Sequence, residues 1–117
     1  GLGSQAIGLM GNNEELLGKV GAAALTTGER TWLLPLWDEY EELIESQVAD
    51  MINTSTRKEA GTIVGGMFLK QFVGDTAWAH LDIASVMWTP KAGPYLSSGP
   101  SAKGTRLLLS LIESMEK

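Results

Sequence analysis

The apolar positions of the chain recur in two periods, and the switches between them outline the elements. Gln5 to Asn12 is an apolar run bounded by Gly3 and by Asn12-Asn13, which predicts a short buried strand. The period then lengthens, with Leu16, Leu17, Val20 and Ala24 on one helical face. Asn12 or Asn13 stands where a helix cap belongs, Glu14 and Glu15 lie at the positive end of its dipole, and Gly28 stops it. Pro35 breaks the next stretch, and Asp38 opens a helix with Tyr40, Leu43 and Ile44 inward. "QVADMIN", Gln47 to Asn53, is predicted as another short strand, and "NTSTRKEAG" that follows has the composition of a loop.

Glu59 to Val73 is predicted as a helix with Ile63, Val64, Met67, Phe68 and Phe72 on one face and Gly74 as its stop. Gly61, Gly65 and Gly66 lower its propensity and suggest close approach of another backbone. "WAHLDIASVMW", Trp78 to Trp88, is the strongest strand of the chain. A loop from Thr89 to Lys103 precedes a final amphipathic helix with Leu107, Leu108, Leu111, Ile112 and Met115 inward. Strands alternating with helices predict an α/β fold, a mixed sheet flanked by helices.

Composition narrows the function classes more than the fold. At 117 residues the chain is one domain at most. It is long enough to bury roughly two thirds of its unfolded surface. A net charge of −5 argues against nucleic acid and anionic membranes, which select basic surfaces. The absence of cysteine excludes disulfides and thiolate metal sites. No apolar run reaches the ~18 residues that span a bilayer. "GLGSQAIGLM" lacks the basic start of a signal peptide.

Several motifs are weaker than they look. "GLGSQA" has the spacing of a dinucleotide-binding turn but no strand before it and no acidic residue at the right distance. "GPSAKGT", Gly99 to Thr105, lacks the lysine that would follow the second glycine of a phosphate-binding loop. "NTS" at Asn53 is formally a glycosylation acceptor, with no other sign of secretion. Asp38, Glu39, Glu41, Glu42 and Glu45 have the spacing of a solvated helix face. The single histidine, His80, stands two residues before Asp82, so both project from one face of a strand. A metal would need further ligands that no cluster supplies, and a hydrolytic triad would need a nucleophile that no motif marks. From spacing alone, a structural His/Asp pair is the favoured reading.

The chain resembles the leucyl (cytosol) aminopeptidase family over nearly all its length. The resemblance is carried by "LGSQAIGLMGNNEELLGKV", "TGERTWLLPLWDEY", "SQVADMIN", "AGTIVGGMFLKQFVGDTAWAHLDIA", "PYL" and "GTRLLLSLI". It implies that the chain is an incomplete, C-terminal portion of a larger catalytic domain, residues 1–117 forming a single unit of it. The family's lysine, its aspartates, its N-T-D-A-E-G-R segment and its T-L-T-G segment are expected before Gly1. The implied reaction removes N-terminal residues from peptides. The resemblance also implies two divalent ions (zinc, manganese or magnesium), which would bind the terminal amine and the scissile carbonyl and activate a water. None of these ions is expected to be held by this segment alone, and the isolated chain is expected to be inactive.

The resemblance also assigns roles to single residues. Ala84 and Met87 match positions lining the pocket for the substrate's N-terminal side chain, an apolar pair suited to leucine-like residues. Thr54 matches a position near the next substrate residue. His80 and Asp82 match residues that hold no metal, and so support the strand carrying Ala84 and Met87. Peptide substrates, a homo-hexamer and a cytoplasmic location are further expectations. Ser85 stands where the family usually has glycine, and "NTSTRKEAG" replaces a glycine-rich turn. These departures keep open a non-catalytic, scaffolding relative as the alternative. A DNA-binding role, which some bacterial relatives carry, gains no support from the acidic charge.

Overall fold

The alternation of side chains along one short strand sets the architecture. The computed structural model describes residues 1–55 and 57–116. Within it β1 (Ile7–Gly11) sends Leu9 to one face of a sheet and Met10 to the other. Leu9 packs with Val20, Ala23 and Ala24 of α1 (Glu14–Thr27) and with Leu107 and Leu111 of α3 (Thr105–Met115). Met10 packs with Ile63, Val64 and Met67 of α2 (Gly61–Lys70) and with Leu43 and Ile44 of a 3-10 helix, Asp38–Ile44. Helices therefore cover both faces, as the α/β pattern requires. Fully burying side chains such as Met10 and Leu107 contributes on the order of 1.5–3 kcal/mol each.

β1 is the central strand. It runs parallel to β2 (Thr31–Leu33) and antiparallel to β3 (Ala79–Asp82), giving the mixed sheet β2-β1-β3. β4 (Trp88–Thr89) and β5 (Gly99–Pro100) form a separate two-stranded ribbon. The α1 start follows the sequence reading: Asn13 Oδ1 accepts the Leu16 N–H at 2.9 Å. Asn12, just before it, bridges instead to the approach of β3. Its Nδ2 donates to the Thr76 carbonyl at 2.9 Å and its Oδ1 accepts the Trp78 N–H at 2.8 Å. A side chain thus continues the β1–β3 pairing beyond the last strand residue.

Several expectations change in the structure: α2 is shorter at both ends than the predicted Glu59 to Val73, and β5 lies within the stretch predicted as a loop from Thr89 to Lys103. Gln47 to Asn53 forms no strand: the Ser46 hydroxyl accepts the N–H groups of Val48 and Ala49, and a backbone held in such a turn presents no ladder. The strand predicted from Trp78 to Trp88 ends at Asp82, whose own carboxylate captures the Ala84 N–H. The backbone that closely approached glycines would meet is absent at α2: a Cβ on Gly66 would lie 2.7 Å from Met10 Sδ, a side chain. On α3 only Leu107 and Leu111 are buried, while Leu108, Ile112 and Met115 are exposed, because a single stripe of the helix meets α1.

Backbone strain collects at the start of α2, where Ala60 stands at φ 48° and ψ 32°. An L-residue in this left-handed conformation costs roughly 1–2 kcal/mol, part of which glycine would return as unfolded-state entropy. Ala60→Gly is expected to raise stability by about 0.5–1 kcal/mol, read as a higher thermal midpoint. A lower midpoint would mean that the alanine methyl makes packing contacts worth more than the strain.

Candidate functional site

The cavity that gathers the most varied chemistry lies at the start of α2 and holds about 810 Å³. Leu34 gives it an apolar wall, Asn53 and Thr54 come from the loop before α2, Thr62 from the first turn of α2, and Asp82 from the end of β3. Gly8 is what allows the last two to meet. It is the cross-strand partner of Asp82, and a Cβ there would stand 3.1 Å from Thr62 Cγ2 and 3.4 Å from Asp82 Cβ. The bare backbone of β1 leaves room for both side chains over the sheet.

Charge in this wall is mixed. Arg57 and Lys58 also border the cavity, as does Glu59, which pairs with Arg57 at 3.7 Å. That pair is more than half exposed on both sides and contributes little. Asp82 Oδ1 accepts the Ala84 N–H at 3.0 Å, a bond inside a turn that a second contact closes, Val86 N–H to Ile83 carbonyl at 3.0 Å. Amide, hydroxyl, carboxylate and apolar groups side by side suit the holding and orienting of a ligand with peptide-like chemistry. Among the described residues, no three His, Asp or Glu side chains converge to hold a metal ion. The described residues therefore do not fit such an ion.

The structure distributes the residues singled out from the sequence. Thr54 and Asp82 share the cavity wall. Ala84 and Met87 lie beyond it on the turn after β3, both exposed, Met87 at 58%. His80 projects from the same face of β3 as Asp82, is half-buried opposite Met10, and leans on Trp78 with ring centroids 6.1 Å apart. "GLGSQA" folds as a 3-10 turn, Gly3–Gln5, ahead of β1.

Sequence reasoning missed Glu29. Its carboxylate is buried at 7% exposure, between the end of α1 and the start of α3. Oε2 accepts the N–H groups of Gly104 and Leu107, each at 3.0 Å. An internal carboxylate therefore sits where "GPSAKGT" would have to offer its helix N-terminus to a phosphate. The only cue was an acidic residue directly after a helix-stopping glycine, a spacing that carries no chemistry until the partner helix is known. Around it is a second cavity of about 870 Å³, bordered also by Arg30, Lys103 and Arg106.

A mixed sheet with helices on both faces, and a ligand-sized cavity where a strand end meets a helix start, defines the class of α/β proteins that build sites from loops on a rigid sheet. Comparison with known proteins narrows the class. Residues 1–109 match the family model described as the cytosol aminopeptidase family, catalytic domain, and the chain belongs to that family. A probable cytosol aminopeptidase of Geotalea uraniireducens (strain Rf4) is 49% identical over 115 residues, 98% of this chain and 23% of that protein. Another, of Geobacter sp. (strain M21), is 47% identical over 111 residues, 95% of this chain and 22% of that protein. A crystal structure of cytosol aminopeptidase from Coxiella burnetii superposes with a TM-score of 0.89 at 32% identity, covering 99% of this chain and 25% of that one. The chain thus spans about a quarter of the length of the relatives it matches.

No described helix is long and apolar enough to cross a membrane.

Proposed function

We propose that this chain works as one part of a longer aminopeptidase, supplying walls of the substrate pocket and core packing while the chemistry comes from other parts of the protein. The observation that supports the reading most is the match of residues 1–109 to the catalytic domain of the family, over a quarter of its relatives' length. The surface is consistent with it: Trp32 and Leu33 on β2, and Leu108, Ile112 and Met115 on α3, are large apolar side chains left exposed. Apolar faces of this kind mark places where another surface packs. In the proposed reading that surface is the remainder of the catalytic domain.

The proposal extends to the finer expectations. The longer protein hydrolyses N-terminal, leucine-like residues from peptides, with two divalent ions (zinc, manganese or magnesium) held by residues outside this chain. It acts as a cytoplasmic homo-hexamer. Thr54 faces the substrate residue after the scissile bond, and Ala84 and Met87 face the N-terminal side chain. Enlarging Ala84 is the direct test. In the full-length protein, Ala84→Leu is expected to lower kcat/KM for leucine p-nitroanilide at least tenfold while sparing alanine p-nitroanilide, because an added side chain fills a pocket meant for the substrate. Equal losses on both substrates would remove Ala84 from the pocket.

A further inference from the structure

We infer that Asp82 is a positioning residue for that pocket, acting through the backbone of Ala84; the inference rests on the proposed reading of Ala84 and Met87 as pocket residues. Asp82 is the last residue of β3 and ends it chemically. Its Oδ1 accepts the Ala84 N–H at 3.0 Å, so that N–H is turned away from any strand partner. The Val86 N–H then bonds the Ile83 carbonyl at 3.0 Å, and the chain leaves the sheet with Ala84 exposed and Val86 buried at 2%. The same turn delivers Met87, whose carbonyl accepts the Ser101 N–H at 2.9 Å.

The other side of Asp82 is the cavity wall shared with Thr54 and Thr62. One side chain, seated on the rigid β1–β3 pair opposite Gly8, thus holds the turn bearing Ala84 and Met87 and also borders the cavity that Thr54 lines. Its bond to the Ala84 N–H sets where the site for the N-terminal side chain lies relative to the strand end that borders the cavity. A strand of the same apolar pattern without an acceptor at position 82 would continue straight and carry Ala84 elsewhere.

The test uses the full-length protein and a graded series. Asp82→Asn keeps an acceptor on the same atom, Asp82→Ser offers a shorter one, and Asp82→Ala has none. The readouts are KM and kcat for leucine and alanine p-nitroanilides. Asp82→Ala is expected to raise KM for leucine p-nitroanilide roughly three- to tenfold, the worth of one hydrogen bond, and to narrow the leucine-to-alanine preference, with kcat within about twofold. Asp82→Asn should stay within about twofold of the wild type in both, with Asp82→Ser between. Should Asp82→Ala fail to fold, the Asn and Ser variants alone decide, through their order in substrate preference. An unchanged preference across the series, or an Asn variant as impaired as the others, overturns the inference. A wild-type protein without aminopeptidase activity would instead overturn the function on which it rests.

Discussion

Gly11→Ala is expected to destabilise the protein by about 3 kcal/mol or more, because an added Cβ comes nearer to its neighbours there than at any other glycine of the chain. The added Cβ would stand 2.5 Å from the Trp78 carbonyl oxygen, 2.9 Å from Leu17 Cδ2 and 3.3 Å from Ala79 Cα. The first and last of these are backbone atoms, which cannot swing aside as a side chain would. Trp78 is also where β3 is anchored: its carbonyl accepts the Asn12 N–H at 3.1 Å, and its N–H donates to Asn12 Oδ1. Relieving the clash therefore means separating β1 from β3 at Gly11 and Ala79, which face each other in the ladder. Gly18 is the internal control, since a Cβ there meets nothing within 4 Å and it lies inside α1. Gly18→Ala should leave stability unchanged or raise it by about 0.5–1 kcal/mol. Urea denaturation of both variants separates the two cases, and equal midpoints would contradict the packing described at β1.

Glu29→Ala ranks second, at about 2–3 kcal/mol. The substitution leaves the N–H groups of Gly104 and Leu107 without their acceptor at a buried helix start, and removes a negative charge from the favourable end of α3. The ion pair with Arg106 adds little to this figure. It is long, at 3.9 Å, and Arg106 is 71% exposed. Glu29→Gln retains an acceptor oxygen and should cost roughly half as much, which separates the hydrogen bonds from the charge. Amide hydrogen exchange gives the local readout: protection at Leu107 should fall in the alanine variant before protection at Leu9 on the central strand does. Loss of protection at both together would mean that Glu29 holds the whole core and not the helix start.

Where the sequence was legible, a single local rule decided the outcome. The apolar run of β1 and the cap, acidic first turn and stopping glycine of α1 each act within a few residues, and both elements formed as predicted. The alternating pattern also put His80 and Asp82 on one face of β3. The departures arose where a polar side chain bonded its own neighbourhood. Ser46 diverted "QVADMIN" into a turn, and Asp82 cut the longest predicted strand at its midpoint. Both competitors are visible in the sequence, but their effect depends on whether a neighbouring strand is near enough to win the backbone. Glu29 is the opposite case: its partners lie some 75 and 78 residues away, beyond any local pattern. The exposed residues of α3 follow from the same limit, since periodicity shows which side of a helix is apolar but not how much of that side a neighbour covers.

The candidate site divides in the same way. The family was legible from strings such as "WAHLDIA" and "W-x-L-P-L", and the comparisons agree with it. Thr54 lies in the wall of a cavity, whereas Ala84 and Met87 stand outside it on the exposed turn. Alternation along an extended strand could not show this separation, because the turn that produces it begins with the side chain of Asp82.

In the proposed function this chain shapes an aminopeptidase site while the chemistry lies in the rest of the protein. The most direct test measures hydrolysis of leucine p-nitroanilide by the full-length protein and by the purified 117-residue chain at equal concentration. Steady hydrolysis is expected from the full-length protein, abolished by a chelator, and none above background from the 117-residue chain with or without added manganese. Hydrolysis by the chain alone, or none by the full-length protein, would contradict the proposed function.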